Sequence, residues 1–165
     1  MADYDDEQDE RVTKLARHQP DVALALAKDL VTRFPLVSRS WASLAYVHTI
    51  NKDHSDALTA MILALNIDPD EPANLFDVSI IYIKLELYRD AIFNISKCIR
   101  ISDDIGNSYY TEACYLHRAF CQCKLGDFEN AQEDLWHVTD GATLWAGRLF
   151  KKADLTEACR RRRLG

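Results

Sequence analysis

DVALALAKDLVTRFP (residues 21–35), SDALTAMILALNIDP (55–69) and RDAIFNISKCIRISD (89–103) read as three versions of one helix. Ala23, Ala57 and Ala91 are each 34 residues apart, as are Pro35 and Pro69, and Asp103 takes the proline's place in the third copy. Each copy opens on an acid or polar residue, runs through small and apolar residues at helical spacing, and stops. A fourth copy, ENAQEDLWHVTD (129–140), places its small residue at Ala131, 40 residues after Ala91. The period is kept if about six residues are inserted near Ser102 to Tyr109.

A second helical pattern precedes the later copies. In SRSWASLAYVHTI the residues Trp41, Leu44, Ala45 and His48 form one stripe at i, i+3, i+4, i+7. Leu75, Val78, Ser79 and Tyr82 form the equivalent stripe in the next copy, and Tyr115, Arg118, Ala119 and Gln122 in the one after. Short polar turns, NKDHSD, ELYRD and LGDFEN, join the paired helices. Gly126 suits a helix C-terminus because it tolerates the left-handed conformation, and Asp127 suits the next N-cap.

Paired helices at this period resemble the tetratricopeptide repeat family. The resemblance rests on Trp41-x2-Leu44-Ala45, Ala57, Met61, Ala64 and Pro69, then Tyr82, Tyr88, Ala91 and Cys98, then Leu125-Gly126-Asp127-Phe128 and Ala131. It covers about residues 7–139 and implies an all-α array of tandem antiparallel helix pairs wound into a right-handed superhelix. The expected organisation is an acidic disordered tail over residues 1–6, repeats at about 7–36, 37–70, 71–105 and 106–140, and a C-terminal capping helix with a basic end over 141–165. A cap is needed to cover the last apolar face. Two features depart from the family pattern. ERVTKLARHQ is a weak opening helix, and Arg118 stands where the family buries a leucine. Either the register shifts there or the arginine reaches a partner through the fold.

Composition agrees with helices. Five glycines and four prolines are few for 165 residues. Lys and Arg number 20 against 26 Asp and Glu, and six of the acids (Asp3, Asp5, Asp6, Glu7, Asp9, Glu10) lie in the first ten residues. With no body-wide basic field, nucleic acid is not an expected partner. No secretory signal is visible and no apolar stretch is long enough to span a bilayer, so no membrane partner is expected either. The odd set Cys98, Cys114, Cys121, Cys123 and Cys159 follows no framework spacing and reads as reduced thiols in a cytoplasmic protein.

No catalytic constellation, phosphate loop or cofactor motif is legible, and a non-enzymatic role is expected. The five histidines make no metal-ligand spacing. Cys114, His117 and Cys121 could share a helix face, yet cysteine is among the most buried residue types and packing explains the set. The run Arg160 to Arg163 suits the negative end of a helix dipole.

The resemblance implies that the first helix of each pair lines a concave surface for a partner peptide. The faces opposite the core stripes are Arg39, Ala42, Tyr46 and Thr49; then Ala73, Phe76, Ile80 and Ile83; then Ala113, Leu116, Phe120 and Cys123. This apolar, aromatic surface is the expected groove for another protein or peptide, with a chaperone or adaptor role in view and a homodimer left open. The lysine and asparagine clamp that some family members close on C-terminal carboxylates is absent, its places holding Ala42, Ser43, Tyr46, Ala73 and His117. A small acidic array is also similar in architecture to the chaperones of type III secretion translocators. Two other roles fit: an immunity protein masking a basic toxin, or a scaffold subunit of a larger assembly. A competing structural expectation is that the C-terminal helix folds back into the groove, inserting Leu144 or Trp145.

Overall fold

The computed structural model describes residues 4–163, in two compact units, Met1–Asn74 and Leu75–Gly165. Helices α1 (Asp6–Leu15), α2 (Pro20–Arg33), α3 (Ser38–Ile50) and α4 (His54–Ile67) make up the first. Helix α5 (Pro72–Lys84) lies mostly in the second, with α6 (Tyr88–Asp104), α7 (Thr111–Leu125), α8 (Phe128–Leu135), strands β1 (Thr143–Ala146) and β2 (Arg148–Lys151), and α9 (Lys152–Arg161). In the first unit α1 packs on α2 and α3, α2 on α3, and α3 on α4. In the second α6 packs on α7, α7 on α8, and α9 on both α7 and α8. The all-α, tandem-pair architecture read from the 34-residue period is the architecture observed.

The period is written into the backbone as well as the side chains. At the end of α3 the Asp53 N–H donates to the His48 carbonyl; Leu87 donates to Tyr82 after α5, and Asp127 to Gln122 after α7, each at 2.9 Å. These are the six-to-one bonds of a helix that ends through a left-handed residue. The left-handed residues are Lys52 (φ 67°), Glu86 (φ 59°) and Gly126 (φ 78°). They are spaced 34 and 40 residues apart, like Ala57, Ala91 and Ala131. Only the last is glycine, so Lys52 and Glu86 hold a conformation that costs a side-chain-bearing residue about 1–2 kcal/mol. Small residues fill the helix crossings: Ala23, Ala27, Ala45, Ala57, Ala91, Ala119 and Ala131 are fully buried.

The inserted residues are accommodated by lengthening. Helix α6 has 17 residues where α2 and α4 have 14. Pro35 and Pro69 follow the ends of α2 and α4; Asp103 carries no such stop, and α6 runs on to Asp104. The chain then turns through Gly106 at φ 68° and leaves Ile105 and Tyr109 exposed.

Two expectations are overturned. The acidic start is not a disordered tail as far as it is described. Asp5 caps α1, its carboxylate accepting from the Gln8 N–H at 2.9 Å, and Asp6 begins the helix. Residues 1–3 lie outside the described residues. The acids are drawn in by two arginines. Arg33 pairs with Asp5 (3.0 Å) and Asp29 (2.8 Å), and Arg39 with Asp6 (2.7 Å) and buried Asp9 (2.6 Å). Tyr4 lays its ring edge on Phe34 at 5.3 Å between centroids.

The second correction concerns residues 141–165. Only Lys152–Arg161 is helical; residues 143–151 form an antiparallel hairpin, with Leu144 opposite Phe150 and Trp145 opposite Leu149. Leu144 and Phe150 are buried while Trp145 and Leu149 are exposed, the period-two alternation of a strand rather than a helix stripe. Gly147, at φ 74°, lets the chain reverse. The Lys151 N–H donates to Asp154 at 2.8 Å, which starts α9. Leu164 and Gly165 lie outside the described residues.

Candidate functional site

On α3 the expected face is half-open. Ala42, Tyr46 and Thr49 are half-buried, and the Thr49 hydroxyl is turned back onto the Ala45 carbonyl at 2.9 Å. Arg39 is exposed but engaged: its guanidinium bridges Asp6 and Asp9, so it anchors α1 rather than waiting for a partner. Ser43 donates a hydrogen bond to Asp9. On the core side of α3, Leu44 and Ala45 are buried, and the Trp41 indole N–H donates to the Pro35 carbonyl at 2.9 Å.

In the second unit the expected face divides in two. Phe76 and Ile80 on α5 are half-buried. The Phe76 ring contacts Tyr110 and His117, both at 5.3 Å between centroids, and Tyr109 stands beside Tyr110 at 4.9 Å. The His117 Nδ1–H donates to the Ala113 carbonyl at 2.7 Å, which leaves Nε2 as the acceptor. Burial pulls its pKa below the usual imidazole range against that hydrogen bond, so the ring is neutral at pH 7. Ala73 and Ala113 are half-buried.

The other half of the face is already covered. Leu116, Phe120, Cys123 and Ile83 are buried, with Phe120 1% exposed. Phe120 packs on Tyr88 (6.1 Å) and on Phe150 of the hairpin (5.0 Å). Leu116, Phe120 and Ile83 are therefore corrected from partner-binding to core residues. The C-terminal segment does fold back, but as a hairpin, with Phe150 against Phe120; Leu144 is buried and Trp145 remains outside. A cleft of about 180 Å³ persists at the hairpin tip, between Ile83, Tyr88, Lys124 and Trp145.

Arg118 resolves into neither of its two expected readings. The register does not slip; the guanidinium forms a two-pronged pair with buried Asp134 on α8, at 2.8 and 2.6 Å, and donates to the Ser96 hydroxyl on α6 at 3.0 Å. The thiols are packing groups. All five are free and buried, Cys123 and Cys159 lie 3.9 Å apart, and burial pushes Cys121 up to about 12. Among the described residues no group of three or more His, Cys, Asp or Glu could hold a metal ion, and no helix is long and apolar enough to cross a membrane. Sequence reasoning missed Tyr110, which follows the insertion and matches no repeat position. It also missed the apolar groove between α8 and α9, whose second wall begins only after a hairpin.

No family profile and no curated protein sequence matches the chain. Solved structures do. MamA from Desulfovibrio magneticus superimposes with a TM-score of 0.66 at 12% identity, over 79% of this chain and 73% of that one. The nearly identical TPR-like repeats of a putative kinesin light chain from Podosopora anserina give 0.69 at 16% identity, over 79% and 71%. The TPR2B domain of yeast Sti1, solved as a complex with pHsp70, gives 0.63 at 11% identity, over 72% and 98%. The fold is that of the tetratricopeptide repeats. At these identities the likeness extends to the path of the backbone and not to any ligand-contacting residue. The tetratricopeptide geometry explains why Phe76 and Phe120, each on the first helix of its pair, fall on one side of the second unit.

Proposed function

We propose that the chain is a non-enzymatic protein-interaction module that holds an extended, apolar partner segment against Phe76 and Ile80, flanked by Tyr110 and His117. The carrying observation is the division of the expected face. Its Phe120 half is sealed by the hairpin, whereas the Phe76 half keeps four adjacent half-buried side chains, three of them aromatic rings. A soluble surface rarely gathers such side chains without a use for them. The complex of the yeast Sti1 domain with pHsp70 supports peptide capture as a use of this fold. Tyr46 and Ala42 on α3 offer a second half-buried patch of the same chemistry. The five free, buried thiols fit a reducing compartment such as the cytoplasm.

The test is affinity capture from the source cells with wild-type protein and with Phe76→Ser, read by quantitative mass spectrometry. Partners retained by wild type should fall at least tenfold with the variant, as expected of a central aromatic anchor. An unchanged set, with the variant still folded by circular dichroism, would place recognition elsewhere.

A further inference from the structure

We infer that the groove between α8 and α9 is a second docking site, for an acidic peptide segment that carries one apolar side chain. Gln132, Leu135 and Trp136 of the α8 end form one wall, and Lys152, Thr156 and Arg160 of α9 form the other. The last three are spaced by four residues and make a single row along α9. The groove encloses about 230 Å³ and runs on past Lys152 towards Asp140 and Ala153. Leu135 is buried at its floor, while Trp136 is 80% exposed at its lip. A tryptophan left that open beside an apolar floor is a large amphipathic surface without a protein partner, the residue type that most often anchors an interface.

Charge identifies the occupant. Residues 141–165 hold seven Lys and Arg against two Asp and Glu, a net +5, whereas residues 1–140 hold 13 against 24, a net −11. Along the groove these cations are not equally free. Lys152 is held by the Val138 carbonyl (2.6 Å) and Asp140 (2.9 Å). Glu157 is taken by Arg161 at 2.6 Å and reaches Arg160 only at 3.6 Å. Arg160 thus brings an under-compensated positive charge to the rim, four residues from Thr156 and across from Trp136. An apolar side chain laid against Leu135 and Trp136 puts its neighbouring carboxylates within reach of Arg160. A polynucleotide would satisfy the arginine but has no saturated side chain for the floor. This site shares no residue with the Phe76 patch, so either can fail alone.

The probe is a fluorescein-labelled peptide with one phenylalanine between two pairs of glutamates, titrated with the full chain by fluorescence polarisation. Binding should weaken at least tenfold with Trp136→Ala, with Arg160→Glu and when the peptide's phenylalanine becomes serine. It should weaken with added salt and vanish when the glutamates become lysines. Phe76→Ser should leave it unchanged. Both substituted residues are exposed, and thermal melts check that the variants stay folded. The inference is overturned by equal binding to the wild type and both groove variants, or by loss of binding with Phe76→Ser. It is overturned equally if an oligothymidylate displaces the peptide. Concentration-dependent self-association that Arg160→Glu abolishes would also overturn it, by showing a second copy in the groove.

Discussion

Replacing Arg118 and Asp134 by leucine, singly and together, tests how an ion pair came to occupy a position where tetratricopeptide repeats bury an apolar residue. Asp134 has 6% of its side chain exposed and Arg118 19%. Two charges about 4 Å apart attract by roughly 4 kcal/mol at the effective dielectric of a protein, and each gave up hydration to be there. Removing one partner of such a pair costs about 3–5 kcal/mol because the other is left buried and unmatched. The two single variants should differ. Without Asp134, the partly exposed guanidinium can rehydrate and keeps its bond to Ser96, so Asp134→Leu should sit at or below the low end, about 3 kcal/mol. Without Arg118, the carboxylate has no solvent to turn to, and Arg118→Leu should lie near the high end, about 5 kcal/mol. That penalty should shrink in acid: an orphaned carboxyl has a folded pKa above its unfolded value, so protonation relieves it as pH falls. The double variant exchanges the pair for apolar contact and should return to within about 1 kcal/mol of wild type. Urea unfolding of the four proteins at pH 7 and pH 5 gives the cycle. Single losses below about 1 kcal/mol, or a double loss equal to the sum of the singles, would refute a coupled buried pair.

Lys52→Gly and Glu86→Gly should each stabilise the protein by up to about 1 kcal/mol, since both residues are left-handed where Gly126 shows what the position prefers; a lower urea midpoint for both would contradict the shared cap geometry. Deleting residues 1–6 should lower the melting temperature by several degrees. Asp5 contributes through a carboxyl held below its usual range, first by the Gln8 N–H and then by Arg33. Its share is present above pH 4 or so and is lost as pH falls through the lower folded value, so full-length and shortened chains should converge in acid. Phe150→Ala should cost about 3–5 kcal/mol, like other large buried truncations, and should uncover Phe120 to a hydrophobic dye; no loss and no dye binding would mean the hairpin does not seal that face. Native protein should react with Ellman's reagent far more slowly than urea-unfolded protein, because burial raises the Cys121, Cys123 and Cys159 thiols and keeps them protonated at pH 7.

What is legible in the sequence is whatever repeats. A helix crossing must admit a small residue in every copy, so the spacing of Ala57, Ala91 and Ala131 along the chain is enough to mark the pairs. Features that occur once carry no such comparison. The hairpin reads as helix because Leu144, Gly147, Arg148 and Lys151 satisfy a helical offset by chance, while the alternation that decides the matter, Leu144 in and Trp145 out, spans only four residues per strand. The acidic start reads as solvated because its partners, Arg33 and Arg39, lie 28 and 33 residues beyond Asp5 and Asp6, on helices that only the packing brings alongside. The groove face shows the same limit from the other side. Phe76 and Phe120 occupy like positions of successive first helices, and nothing local separates them. One is half-open and the other is core because a later segment, outside the repeat, brings Phe150 to only one of them. Periodicity thus tells which face of each helix turns away from its pair partner. Whether that face meets solvent, a partner or the chain's own terminus depends on the aperiodic residues, and here residues 143–161 decide it for the whole second unit.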